Sequence, residues 1–141
     1  DGDGTASTRR RAHGCGVAVV SRLVGMTDTS IFTRILNGEI PAEIIGETDR
    51  LFALRDIAPQ APVHLLVVPK SAEYRDVTEL AAGDPALLAE MIAFAGTLAK
   101  EHTEDGDFRL VFNTGAGAGQ TVFHVHAHVL SGGLEEGRLG G

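Results

Sequence analysis

Tryptophan is absent from this 141-residue chain, tyrosine occurs once, and cysteine occurs once, at Cys15. A single thiol excludes an intrachain disulfide and any CxxC-type structural zinc site, and it fits a reducing, cytoplasmic compartment. No apolar run exceeds five residues, whereas a membrane span needs about 20. The chain therefore reads as soluble, with no membrane partner. Positive charge is also scarce: 12 Lys and Arg against 19 Asp and Glu give a formal net charge of −7. That balance repels a polyanion and argues against general DNA or RNA binding. It leaves room for one mononucleotide, because a small phosphate can be held by local N–H groups and a few side chains.

What is present suits one globular domain. The length fits a single unit, and 43% apolar with 22% charged residues is close to the globular average. Residues 1–25 differ in texture. A small polar start leads to the basic cluster Arg9–Arg11 and then to the mildly apolar Val17–Val24. A signal peptide would need about 7–15 apolar residues, but Val17–Val20 is short and Arg22 breaks the apolar stretch soon after it. These residues read as a poorly ordered extension or a non-native start. Met26 looks like a natural beginning for a domain spanning 26–141.

Within that domain, Ser30 to Gly38 reads as a short helix. Ser30 caps it, Ile31, Phe32, Ile35 and Leu36 form an apolar stripe, and Gly38 ends it. Three strand-like runs come next, at Glu43–Glu47, Leu51–Asp56 and His64–Pro69. Thr48-Asp49-Arg50 turns the first pair, and Pro59 and Pro62 precede the third. Asp84-Pro85 starts a helix, and Leu87, Leu88, Met91, Ile92, Ala95, Leu98 and Ala99 keep helical spacing towards His102. Strands at Phe108–Asn113 and Val122–Leu130 close the chain. The expected fold class is α+β, a five-stranded antiparallel sheet with one long and one short helix.

His124-Val125-His126-Ala127-His128-Val129 alternates. On a strand the three histidines share one face, and Val125, Ala127 and Val129 share the other. With only 6 histidines in the chain, chance is a poor explanation. A shared metal is the second reading. Same-face neighbours lie about 6.6 Å apart, so the outer two stand about 13 Å apart, while zinc–nitrogen bonds are about 2.0–2.1 Å. Three histidines on a regular strand cannot converge on one ion, although an adjacent pair with His64 or Asp56 could. The third reading is nucleophilic and acid–base chemistry. A neutral imidazole attacks without special activation, and its neighbours can fix its tautomer or stabilise phosphate charge.

The loop Asn113-Thr-Gly-Ala-Gly-Ala-Gly-Gln-Thr121 precedes this segment. Its small residues allow backbone N–H groups close to an anion, and Asn113, Gln120 and Thr121 are candidate donors. Asp56 ends a strand and is either a solvated turn residue or an acceptor for ribose hydroxyls. His102 suits a helix C-terminus, His13 has no informative context, and Lys70, Arg75 and Arg109 read as solvated surface.

These residues resemble a known family. Gly119-Gln-Thr-Val-Phe-His-Val-His-Ala-His-Val129 is similar to the signature of histidine-triad (HIT) proteins. Ile31-Phe32, Gly38-Glu-Ile-Pro-Ala42, Asp56–Pro62 and His64–Lys70 resemble its nucleotide-binding (Hint) branch, over about Ser30–Gly132. The resemblance implies a HIT-like homodimer with a ten-stranded sheet. It also implies hydrolysis of purine nucleoside phosphoramidates, of the adenosine 5′-monophosphoramidate type, without cofactor or metal, and AMP or GMP as binding partner. His126 would be the nucleophile, with His124, His128 and His64 completing the catalytic set. Asp56 would bind ribose; Asn113, Gly119, Gln120 and Thr121 would contact phosphate; Phe32, Ile35, Ile40, Leu54 and Ile57 would wall the base pocket. Thr121 replaces the Ser of many relatives. Ser30 and Thr33 stand where some carry zinc-binding cysteines. The tail from Ser131 to Gly141 lacks a Trp-Pro-Pro ending that in relatives bears on the leaving group. Dinucleoside polyphosphate hydrolysis and non-catalytic purine nucleotide sensing are the alternatives.

Overall fold

A computed structural model of the protein describes residues 29–138. The extension 1–25, the candidate start at Met26, and His13 and Cys15 lie outside the described residues. Ser30 caps α1 (Ile31–Leu36), its side chain accepting from the Thr33 N–H. Strands β1 (Ile44–Glu47) and β2 (Leu51–Arg55) form a hairpin closed at Thr48, whose Oγ1 accepts from the Leu51 N–H. Next come β3 (Val63–Pro69), α2 (Val77–Gly83), α3 (Pro85–His102), β4 (Arg109–Val111) and β5 (Ala127–Ser131). The sheet order is β1-β2-β3-β5-β4 and every pairing is antiparallel. No described helix is long and apolar enough to cross a membrane.

Both faces of the central strands are covered. Leu51, Ala53, Leu65, Val67, Ala127 and Val129 meet Leu80 of α2 and Leu87, Met91, Ala95 and Leu98 of α3. The alternate residues Phe52, Leu54, Leu66 and Val68 pack with Phe32 and Ile35 of α1. Period-two alternation in the strands thus separates two apolar clusters. The larger lies under α3; the smaller shares its face with the side chains of His64 and His128.

Two features differ from the sequence expectation. The first is α2, which the spacing did not suggest. Its signal is a cap: Asp76 Oδ1 accepts from the Glu79 N–H at 2.9 Å, and Glu79 Oε1 accepts from the Arg75 N–H at 2.9 Å. The Asp-x-x-Glu pattern of Asp76–Glu79 is a variant of the capping box. The second concerns the last strand. It was expected from Val122 but begins at Ala127, so His124 and His126 precede the ladder. The reason lies in β3. The β3–β5 register ends at Val67 paired with Ala127, and continuing it would set Val125 opposite Pro69, which has no N–H to donate. Val125 instead donates to the Tyr74 carbonyl at 3.0 Å. The burial alternation survives this detour, with Val125, Ala127 and Val129 all within 1% exposure.

Candidate active site

His128 lies on β5, diagonal to His64 on β3, since Leu66 pairs with His128 and His64 with Leu130. Their rings meet: His64 Nε2 lies 2.9 Å from His128 Nδ1. The rings of His126 and His128 stand 5.2 Å apart. Phe32 from α1 stands edge-on to His124 at 5.7 Å and tilted over His126 at 4.9 Å. The three triad histidines and His64 therefore form one contiguous group, even though two of the triad lie outside the strand.

Backbone groups fix the tautomers of His124, His126 and His64, and His64 in turn sets that of His128. A carbonyl only accepts, so the nitrogen facing it carries the proton, and an amide N–H only donates, so the nitrogen facing it carries the lone pair. His124 Nε2 lies 2.7 Å from the Pro69 carbonyl and donates to it, which leaves Nδ1 to accept from the Ser30 hydroxyl at 2.5 Å. His126 Nδ1 donates to the His124 carbonyl at 2.8 Å. Its Nε2 consequently carries the lone pair, and no described residue hydrogen-bonds to it. His64 Nδ1 accepts from the Gln60 N–H at 2.9 Å. Its Nε2–H then donates to His128 Nδ1, so the His128 proton sits on Nε2. The result is one available nucleophilic nitrogen, on His126, beside one available donor, on His128.

Burial is the largest influence on all four rings and disfavours the charged form. It lowers the pKa of His124 and of His126, against carbonyl hydrogen bonds from Pro69 and His124 respectively. It lowers that of His64 against the charge of Asp56. His128 falls to about 4, through burial first and then the neighbouring rings of His126 and His64. Burial thus favours the neutral form of all four imidazoles.

Asp56 Oδ1 accepts from the Ala58 N–H at 2.8 Å, and Oδ2 lies 3.4 Å from His64 Nε2. Asp56, His64 and His128 each bring one potential ligand atom within 4.8 Å of the others. Their protonation does not suit a metal: the Gln60 N–H holds the lone pair of His64 on Nδ1, and its Nε2 proton occupies the direction an ion would take. A cavity of about 410 Å³ opens beside this pair, bordered by His64, His128, Gln60, Asn113, Arg109, Leu130 and the tail residues Gly133–Glu135. Arg109 holds that tail through the Glu135 carbonyl at 2.8 Å.

The other expected site residues divide clearly. Phe32, Ile35, Ile40 and Leu54 share one apolar cluster, whereas Ile57 is 92% exposed. Asn113 borders the cavity, and Thr121 is exposed. In the glycine loop, the Ala118, Gly119 and Gln120 N–H groups bond back to Gly115 and Ala116 carbonyls, and positive φ at Gly115 and Gly119 permits that compact turn. The Gln120 side chain is buried and hydrogen-bonded at both its oxygen and its nitrogen. Its Oε1 accepts from the Gly115 N–H, and its Nε2 donates to the Arg75 and Val122 carbonyls. Gln120 thus holds the loop rather than presenting a free donor. The three cations read as solvated surface also have partners: Lys70 pairs with Glu47 at 2.7 Å, Arg75 covers the Phe123 ring at 5.6 Å, and Arg109 anchors the tail. Sequence reasoning missed Ser30 as a triad partner and Gln60 as a tautomer-setting donor. The Ser30 contact spans 94 residues, and Gln60 contributes only its backbone N–H to the His64 ring, so neither leaves a local sequence signal.

Comparison with known proteins places the family. Residues 37–133 match the HIT domain model. An uncharacterized HIT-like protein of Synechococcus elongatus is 42% identical over 107 residues, covering 76% of this chain and 93% of its own length. The purine nucleoside phosphoramidase of Escherichia coli is 38% identical over 109 residues, covering 76% of this chain and 90% of its own. The solved HIT family hydrolase from Clostridium thermocellum superposes with a TM-score of 0.70 at 36% identity, covering 79% of this chain and 96% of that one. The chain belongs to the HIT domain family.

Proposed function

We propose that the protein hydrolyses purine nucleoside phosphoramidates, of the adenosine 5′-monophosphoramidate type, through a nucleotidyl–histidine intermediate on His126. The observation that carries this reading is the His126 tautomer. Its Nδ1–H is tied to the His124 carbonyl, which leaves the Nε2 lone pair to attack phosphorus. A bond forms from Nε2 to phosphorus and the phosphorus–nitrogen bond breaks, the amine leaving with a proton drawn from solvent. Water then attacks phosphorus, releasing the mononucleotide and a proton and restoring neutral His126. The His128 Nε2–H stabilises the charge that develops on a phosphoryl oxygen.

On this reading the purine lies against the cluster of Phe32, Ile35, Ile40 and Leu54, and exposed Ile57 closes over it. Asp56 accepts from the ribose hydroxyls. Asn113 and Thr121 donate to phosphate, while Gly119 and Gln120 shape the loop that holds them. The leaving group enters the cavity beside His64 and His128. The strand at the sheet edge, β4, pairs with its copy in a second protomer to give a homodimer with a ten-stranded sheet. The phosphoramidase relative from Escherichia coli supports the substrate class, and the acidic composition and single cysteine fit a cytoplasmic enzyme without a nucleic-acid partner.

A substrate panel tests the reading. Adenosine and guanosine phosphoramidates should release amine, diadenosine polyphosphates should turn over far more slowly, and His126→Ala should stop turnover while still binding AMP. Preferential cleavage of the polyphosphates would reassign the enzyme, and tight AMP binding without any turnover would make it a nucleotide sensor.

A further inference from the structure

Ser30 caps a six-residue helix, but its side chain also reaches the buried end of the triad. The Thr33 N–H donates to Ser30 Oγ at 3.1 Å, and Oγ lies 2.5 Å from His124 Nδ1. His124 is fully buried. Its Nε2–H is committed to the Pro69 carbonyl at 2.7 Å, so Nδ1 can only accept, and the Ser30 hydroxyl proton must point at it. The alternative acceptor, Thr33 Oγ1, is farther, at 3.3 Å. One directed chain results, from the Thr33 N–H through Ser30 and His124 to Pro69. It joins α1, the triad loop and the end of β3.

His124 has no nitrogen left for a substrate. What it offers the reaction is its own backbone carbonyl, which accepts from His126 Nδ1 at 2.8 Å. The same helix start carries Phe32, whose ring tilts over His126 at 4.9 Å. The nucleophile is therefore set from two sides by groups that meet at Ser30.

We propose that Ser30 is a positioning residue for the reaction: its hydroxyl holds the His124 ring, and through the His124 carbonyl and Phe32 it fixes the aim of His126 Nε2. The kinetic part of this proposal rests on the phosphoramidase reading above; the spectroscopic part does not. Removing the hydroxyl leaves a buried His124 lone pair without a donor, and the ring and its carbonyl must shift to compensate. Misaligning a nucleophile lowers kcat, and about a tenfold loss is expected here with KM within twofold.

The test separates this role from helix capping. Gly is nearly as good an N-cap as Ser, whereas Ala is clearly worse. Ser30→Ala and Ser30→Gly should therefore lose kcat equally although their thermal stabilities differ, and Ser30→Thr should restore it. In ¹⁵N spectra, the His124 Nδ1 resonance should move in both hydroxyl-free variants and return in Ser30→Thr. A His124 resonance unchanged in Ser30→Ala overturns the proposal, as does a Ser30→Gly enzyme within twofold of wild type. If the wild type releases amine from no phosphoramidate, the proposed function fails, and the His124 resonance still decides whether Ser30 holds the ring.

Discussion

Beneath α3, β3 presents Leu65 and Val67 and β5 presents Ala127 and Val129; on the opposite face the same two strands present His64, Leu66 and Val68 from one and His128 from the other. The first face is closed by aliphatic side chains of α2 and α3. The second is closed only in part, by α1, and its polar groups are held by main-chain donors and acceptors from Gln60, Pro69 and His124. The α3 face can be built from any well-packed apolar set. The site face needs specific nitrogens in specific protonation states, and it obtains most of them from backbone groups, with the Ser30 hydroxyl and the His64 ring supplying the rest.

The two faces diverge most when the one free lone pair is removed. His126→Ala should lower kcat at least about 10⁴-fold with the melting temperature nearly unchanged; retained activity would remove the nucleophile assignment. On the other face the pattern inverts. Met91 is fully buried under the sheet, and Met91→Ala should cost about 2–5 kcal/mol in denaturant unfolding while turnover per folded molecule stays near wild type. A large kcat loss there would mean that the two faces are not separable.

The next contrast is in pH. The imidazoles of the site face have lowered pKa values, whereas the same groups in the unfolded chain titrate near 6.5. Below that value the unfolded state binds more protons than the folded one, so stability falls as pH drops. For His128, which faces Asp56, His64 and His126, this loss runs from about pH 6.5 to about 4 and then levels off. Activity, by contrast, should fall only below pH 6.5, because burial lowers the pKa of His126 from that value. An acid limb in kcat/KM centred at 6.5 would contradict the burial argument.

Much of the fold was legible because it is written at short range. Val125, Ala127 and Val129 alternate, Asp84-Pro85 marks the start of α3, and both features are present in the structure. The end of the β5 ladder was not legible, because it depends on which residue of β3 lies opposite Val125, and that register is set by pairing between segments far apart in the chain. The helix α2 was missed although Asp76 and Glu79 carry its cap. In the site, the histidines announced themselves by spacing. Gln120 looked like a free donor because sequence cannot show that its amide is already shared among Gly115, Arg75 and Val122.

Smaller effects sharpen the picture. Ile57 is 92% exposed beside Asp56, and burying such a side chain is favourable by about 1.5–3 kcal/mol. Ile57→Ala, which removes most of that apolar surface, should raise KM about tenfold with kcat nearly constant, and an unchanged KM would place the purine elsewhere. Chelation should have the smallest effect of all: EDTA should leave turnover intact, because the Gln60 N–H keeps the His64 lone pair away from the Asp56–His128 side. Inhibition by EDTA that zinc restores would reverse that conclusion.

Hydrogen bonds within the four-histidine group leave one lone pair free, that of His126 Nε2. Peptide mass spectrometry on enzyme quenched at alkaline pH during turnover of adenosine phosphoramidate tests it most directly, since a nucleotide–histidine bond survives there. A nucleotidyl adduct on His126 alone is expected. An adduct on His124, His128 or His64, or turnover with no adduct under conditions that trap the intermediate, would contradict it.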